Sequence, residues 1–394
     1  MQHHEVDTDR GTASGTVPSA PLDPAAPPDP AAPAGRVAPA GTGAPADPAH
    51  PSHPADSARL TAGEILAGYL HARAGDFLRG LRLYGESGAD TAAAEEAART
   101  LRGAARRISG ALHTYRPLLD QASADQLRTE LGWLSGTLAQ EHACTSRLHR
   151  LLGALARLSG AVVPQAGPSS AGPVTAGAGR TGTLAVGTLT VGASRAGALL
   201  ERQLTLARTR AHSSALQALG SSRFHAVADA VAVLASEVPL VPLAGAPAVE
   251  VLAGPGEATE AQLLDAVAAL PLARAAHPYN AEALVHGLAT TSEGETQDAP
   301  WHQVRRLLRL HRYTQEVWCA GGAPDPALLA AGQALDRHRD AAEAAAAAAN
   351  AARTPRIAPT TAYALGVLHA DQRHEVEAAR FAFQQLWQKA AVTR

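Results

Sequence analysis

From Thr61 onward, large apolar residues recur at steps of three and four, the period of a helix with one face turned to a core. Ile65, Leu66, Tyr69, Leu70, Phe77, Leu78 and Leu81 form the first such stripe. Thr61 followed by Glu64 is a capping-box signal, so a helix is predicted from there to about Tyr84. Gly85 to Asp90 reads as a turn. A second helix, Thr91 to Tyr115, stops near Pro117. A third runs from about Ser123 to Leu158, with Leu127, Leu131, Leu134 and Leu138 on one face. The short connections favour antiparallel neighbours, as in a bundle. Gly160 to about Gly192 shows little periodicity and reads as a linker. Helix resumes at about Ala193 and continues, with breaks, to Leu234. Pro and Gly interrupt Val238 to Pro255, and a short helix spans Ala258 to Leu272. Further helices are predicted at about 299 to 318, from about Pro326, and at about 359 to 391, where Phe381, Phe383, Leu386 and Trp387 supply bulk. The fold class is therefore all-α.

Within this pattern, WHQVRRLLRLHRYTQEVW, Trp301 to Trp318, stands apart. On a helix, His302, Arg305, Arg306, Arg309, Arg312, Tyr313 and Glu316 fall within an arc of roughly 120°. Val304, Leu307 and Leu308 lie on the far side and offer an apolar face to a core. Adjacent guanidiniums on one arc repel by a few tenths of a kcal/mol per pair when exposed, and by more when partly buried. The same spacing occurs earlier, in ARTLRGAARRISGALHTYRPLLD. There Arg99, Arg102 and Arg106 take the places of His302, Arg305 and Arg309. Ser109 stands where Arg312 would be, and Arg107 is an extra cation. A duplicated helical unit, each copy presenting a basic stripe, would produce this recurrence.

WHQVRRLLRLHRYTQE, followed by ALDRHRDAAEA with His338 and Asp340, resembles the second signature of the CHAD family, the conserved-histidine α-helical domains. RRISGALHTYRPLLD followed by LRTELGWLSGTLAQ resembles the first, and TAGEILAGYL the family's opening helix. The resemblance covers roughly residues 58 to 390. It implies two pseudo-symmetric antiparallel helical bundles, residues 58–160 and 193–390, around a basic central cavity that binds inorganic polyphosphate. The departures fall in the first half. The family's first histidine aligns with Arg99, its third arginine in that helix with Ser109, and an Arg-Asp pair with His142 and Ala143.

Composition changes this picture in one respect. The 34 basic and 36 acidic residues give a formal charge of −2, which alone argues against a polyanion partner. Residues 1–57, however, carry seven acids against two arginines, so the remainder is slightly positive, with its cations in stripes. That segment is Pro-, Ala- and Gly-rich, has almost no large apolar residues, and is predicted to be disordered. Nearly all the cations are arginine, which suits bidentate phosphate contacts; a GC-rich genome would favour the same residue. Cys144 and Cys319 are in no metal-ligand spacing, the start MQHHEVDTDR lacks the apolar stretch of a secretory signal, and no charge-free apolar run is long enough to span a membrane. A cytoplasmic protein is expected, with polyphosphate granules as one place for it to act.

The candidate binding residues are Arg99, Arg102, Arg106 and Arg107 from the first half. From the second they are His302, Arg305, Arg306, Arg309, Arg312 and His338. The histidines could donate hydrogen bonds to phosphate or be satisfied by neighbouring helices. Tyr313 reads as core, and Glu316 as the ion-pair partner of an arginine. No nucleophile with a base, Walker loop or dinucleotide turn stands out, so neither catalysis nor a cofactor is expected. A metal-dependent phosphohydrolase using His302, His338 and Asp340 is the alternative from another class. A nucleic-acid binder fits the stripes, but not the scarcity of aromatic residues for stacking. Oligomeric state has no signature in the sequence.

Overall fold

Capping side chains set where the helices begin. In the computed structural model, which describes residues 60–88, 90–160, 180–279, 291–319 and 325–393, Thr61 and Glu64 form the expected capping box at the start of α1, Ala62–Glu86. The Asp90 carboxylate accepts from the backbone N–H groups of Ala92 and Ala93 and opens α2, Thr91–Thr114. Asp120 caps α3, Gln121–Leu158, through the N–H of Ser123. After α4, Arg180–Leu219, the Ser221 hydroxyl accepts from Phe224 N and starts α5, Ser222–Ser236. Then come α6, Ala248–Ala268, the single turn α7, Leu272–Ala275, and α8, Thr291–Trp318. Asp325, with Pro326 at the first helical position, opens α9, Pro326–Ala352, and α10 is Pro359–Thr393. Among the described residues there is no strand, only two isolated bridges, Thr61 with Pro247 and Leu119 with Leu240. They tie the starts of α1 and α3 to the segment between α5 and α6.

Three apolar clusters organise the helices. The first joins α1, α2 and the first half of α3 to α5 and the start of α6, with Phe77, Ile108, Leu134, Val231 and Leu252 at its centre. The second packs the far half of α3 (Leu151, Leu155) against α4 (Ala196, Leu200) and the facing parts of α9 and α10 (Ala348, Leu365). The third gathers Leu263, Trp301, Val304, Leu308, Leu335 and Phe383 from α6, α8, α9 and α10. The apolar face expected for α8 is thus its buried face.

Three sequence boundaries are corrected, the plainest at α8, which opens at Thr291 where about 299 was expected. Helix α4 begins at Arg180, well before Ala193, so the expected linker is in part helical. Gly192 read as a loop residue, yet it lets α4 lie against the start of α10: a methyl group there would overlap the Thr360 carbonyl oxygen. Likewise α6 runs unbroken through Pro255, because Leu252, Thr259 and Leu263 are buried on both sides of it. The expectation for residues 1–57 lies outside the described residues, as does that for 161–179.

Candidate functional site

The two basic stripes meet. Helices α2 and α8 approach most closely at Gly110, where an added Cβ would sit 2.6 Å from Tyr313 Cδ2, so a side chain here would push them apart. Beside this contact Arg107 Nε donates to Glu316 Oε2 at 2.8 Å, and the Tyr69 hydroxyl donates to the same oxygen at 3.1 Å. The Arg107 guanidinium also lies 5.5 Å from the centre of the Tyr313 ring. Burial opposes the charge on Arg107, but Glu316 outweighs it and holds the guanidinium more firmly protonated than usual. Tyr313 is core and Glu316 an ion-pair partner, as read from the sequence.

Away from that neutral end, cations crowd together. Arg102 is only 8% exposed and donates from Nε to the Ala98 carbonyl oxygen at 3.3 Å. Its pKa is pulled down by burial and then by Arg106, Arg99 and Arg339. Burial likewise lowers Arg309, which feels Arg106 and Arg339, and Arg305, which feels Arg309 and Arg339. A guanidinium starts so far above neutrality that all three remain charged. Arg305 is matched by Asp336 of α9 at 2.5 Å. Among the described residues no carboxylate stands within salt-bridge distance of Arg102, Arg106 or Arg309, and the Nε of Arg106 is buried without a partner. Repulsion held in this way is relieved by any anion that enters.

The space for one is a hollow of about 270 Å³ between α2, α3 and α8. Arg106, Ser109 and His113 face it from α2, Arg128 and Ser135 from α3, and Arg306 and Arg309 from α8, with no acid in the lining. A larger hollow of about 490 Å³ between α3 and α5 is mainly apolar, walled by Leu127, Val227 and Val233. Of its three charged residues Arg223 and Glu130 are paired at 2.6 Å and Glu237 is an acid, so it offers no comparable anion site.

The structure does not bring all the expected residues together. Arg99 pairs with Glu96 and faces a separate hollow beside α1, which Arg107 also lines. Arg312 lies against Gly332 of α9. His302 is half-buried, with its ring 5.4 Å from that of His338, and burial holds it below the usual histidine range. His338 faces the protein core. It is 1% exposed and stacks on Trp301 at 5.6 Å; its Nε2 accepts from Arg380 Nε at 3.3 Å and lies 3.3 Å from Asp298 Oδ1. Burial pushes it down to about 4. Asp298 in turn receives Arg373 at 2.7 Å and Arg380 at 2.6 Å, so this histidine belongs to a buried ionic cluster joining α8, α9 and α10. Of the two sequence readings of His338, the core placement is the one seen, because Leu335, His338, Ala341 and Ala342 share the inward face of α9, although its Nδ1 is buried without a partner.

Three residues of the site escaped the sequence reading. Arg339, next to His338, turns toward the arginine cluster, with Asp340 as its closest counter-ion. His113 falls seven positions after Arg106, on the same stripe. Arg128 comes from α3 and shares no register with either stripe. Among the described residues no three His, Cys, Asp or Glu side chains are grouped to hold a metal ion, and no helix is long and apolar enough to cross a membrane.

An all-helical molecule with an arginine-lined hollow where two matched helices meet is the class these observations define. The CHAD domain model matches residues 73–349, more than half of the chain, and the chain belongs to the CHAD family. Among solved structures, PptA from Streptomyces chartreusis is 59% identical with a TM-score of 0.67, the match covering 84% of this chain and 100% of that one. No curated protein matches the chain.

Proposed function

We propose that this protein binds inorganic polyphosphate in the hollow between α2, α3 and α8, and does so without catalysis. The observation that carries the reading is the confinement of Arg106 and Arg309 at one lining, with no carboxylate among the described residues within salt-bridge distance of either. Polyphosphate carries about one negative charge per unit, and arginines one helical turn apart are separated by about 5.4 Å, close enough for successive contacts along an extended anion. Membership of the CHAD family supports the same ligand. Nucleic acid fits less well, since the rings that line the hollow, Tyr313 and His113, are too few for a run of bases to stack on.

Arg106→Ala with Arg309→Ala is expected to weaken the binding of long-chain polyphosphate at least about tenfold while leaving the helical content unchanged, since each charge-assisted contact is worth about 1.5–3 kcal/mol. Equal charge supplied as single-stranded DNA is expected to compete poorly. Unchanged affinity in the double variant would place the ligand elsewhere, and shortening of the polyphosphate during incubation would replace binding by hydrolysis.

A further inference from the structure

At the four positions the stripes share, the second half has His302, Arg305, Arg309 and Arg312, whereas the first half has Ser109 in place of the last. In the structure Ser109 faces the hollow, and a guanidinium from a different helix faces the same space, that of Arg128 on α3. Arg128 donates from Nη1 to Asp125 Oδ1 at 2.7 Å. Asp125 is not free to neutralise it fully. The same carboxylate already accepts from Arg116, whose Nε and Nη2 reach Oδ2 at 3.0 and 2.8 Å. Two guanidiniums therefore share one carboxylate, leaving a net positive charge at the mouth of the hollow. Arg306, across the hollow on α8, is exposed and has no carboxylate within salt-bridge distance among the described residues. The space of about 270 Å³ is far larger than a single water needs and has room for a phosphate group.

We propose that Arg128 is a polyphosphate contact that replaces, from α3, the cation missing at Ser109, so that the ligand is gripped by three helices. This rests on the function proposed above. It also makes Asp125 an internal competitor: the carboxylate and a phosphate oxygen seek the same guanidinium, and loss of the carboxylate charge favours the phosphate.

The test compares three variants of the full chain, Arg128→Ala, Asp125→Asn and Arg309→Ala, titrated with polyphosphate of defined length at several salt concentrations. Arg128→Ala is expected to weaken binding about tenfold and to reduce the slope of log affinity against log salt by about 1, as loss of one phosphate contact requires. Asp125→Asn is expected to tighten binding, since it frees the Arg128 guanidinium and removes a negative charge beside the hollow. If Arg128→Ala keeps wild-type affinity and slope while Arg309→Ala is impaired, the proposal for Arg128 falls and polyphosphate binding stands. If neither substitution affects binding, the ligand lies elsewhere and both the hollow and Arg128 are ruled out as its site; if the unaltered chain does not bind, the function itself falls. Should Arg128→Ala fail to fold, Asp125→Asn decides alone, and unchanged or weaker binding would overturn the proposal.

Discussion

At the scale of single residues, the molecule separates charges meant to stay paired from charges left waiting. Asp298, Arg373, Arg380 and Glu377 form a buried set whose members satisfy one another, with His338 wedged among them. Burial lowers the pKa of His338 to about 4, against an ordinary value of 6.5. Its folded-state pKa is therefore depressed, so its contribution to stability is complete above pH 6.5 and is lost as pH falls from there toward about 4. His338→Gln is expected to flatten urea-derived stability across that window by roughly 3 kcal/mol, at about 1.36 kcal/mol per pKa unit. An unchanged slope would show that His338 accepts a proton freely in the folded state. The sequence placed His338 in a signature but left its direction open, because a motif gives spacing and not the position of Asp298. Arg339, one residue on, could have been assigned from the same motif by the 100° step that turns it away from the core.

At the scale of helices, the legible parts were those fixed locally. The cap at Thr61 and the apolar face of α8 follow from near neighbours in the chain, and the structure has them where they were read. The illegible parts depend on a partner distant in sequence. Gly192 and Pro255 look like breaks until α10 and the core on either side of α6 are in place, and Arg128 joins the site only because α3 packs beside α2. Gly110 shows how tight such a dependence is. Gly110→Ala is expected to destabilise the fold by about 1–3 kcal/mol, by forcing α2 away from Tyr313, and to weaken polyphosphate binding with it. Thermal melting and titration of the same preparation check both effects; wild-type melting would mean that Tyr313 yields at no cost.

At the scale of the whole molecule, binding and protonation are coupled. His113, His142 and His302 are each held below the usual histidine range by burial, and nearby guanidiniums add to the effect. A bound polyanion offsets the guanidiniums, raises those values and draws protons onto the rings. Affinity is therefore expected to increase as pH falls into the range where these depressed histidines begin to protonate, with net proton uptake on binding. Calorimetry in two buffers of different ionisation enthalpy reads that uptake directly; equal apparent enthalpies in the two buffers would refute it.

One element ties the distant parts of the molecule together. Helix α3 has 38 residues, about 57 Å at 1.5 Å each, and lends Leu131 and Leu134 to one apolar cluster and Leu151 and Leu155 to another. The half that carries Arg128 and the half that packs on α4, α9 and α10 are thus one continuous rod, anchored in both clusters.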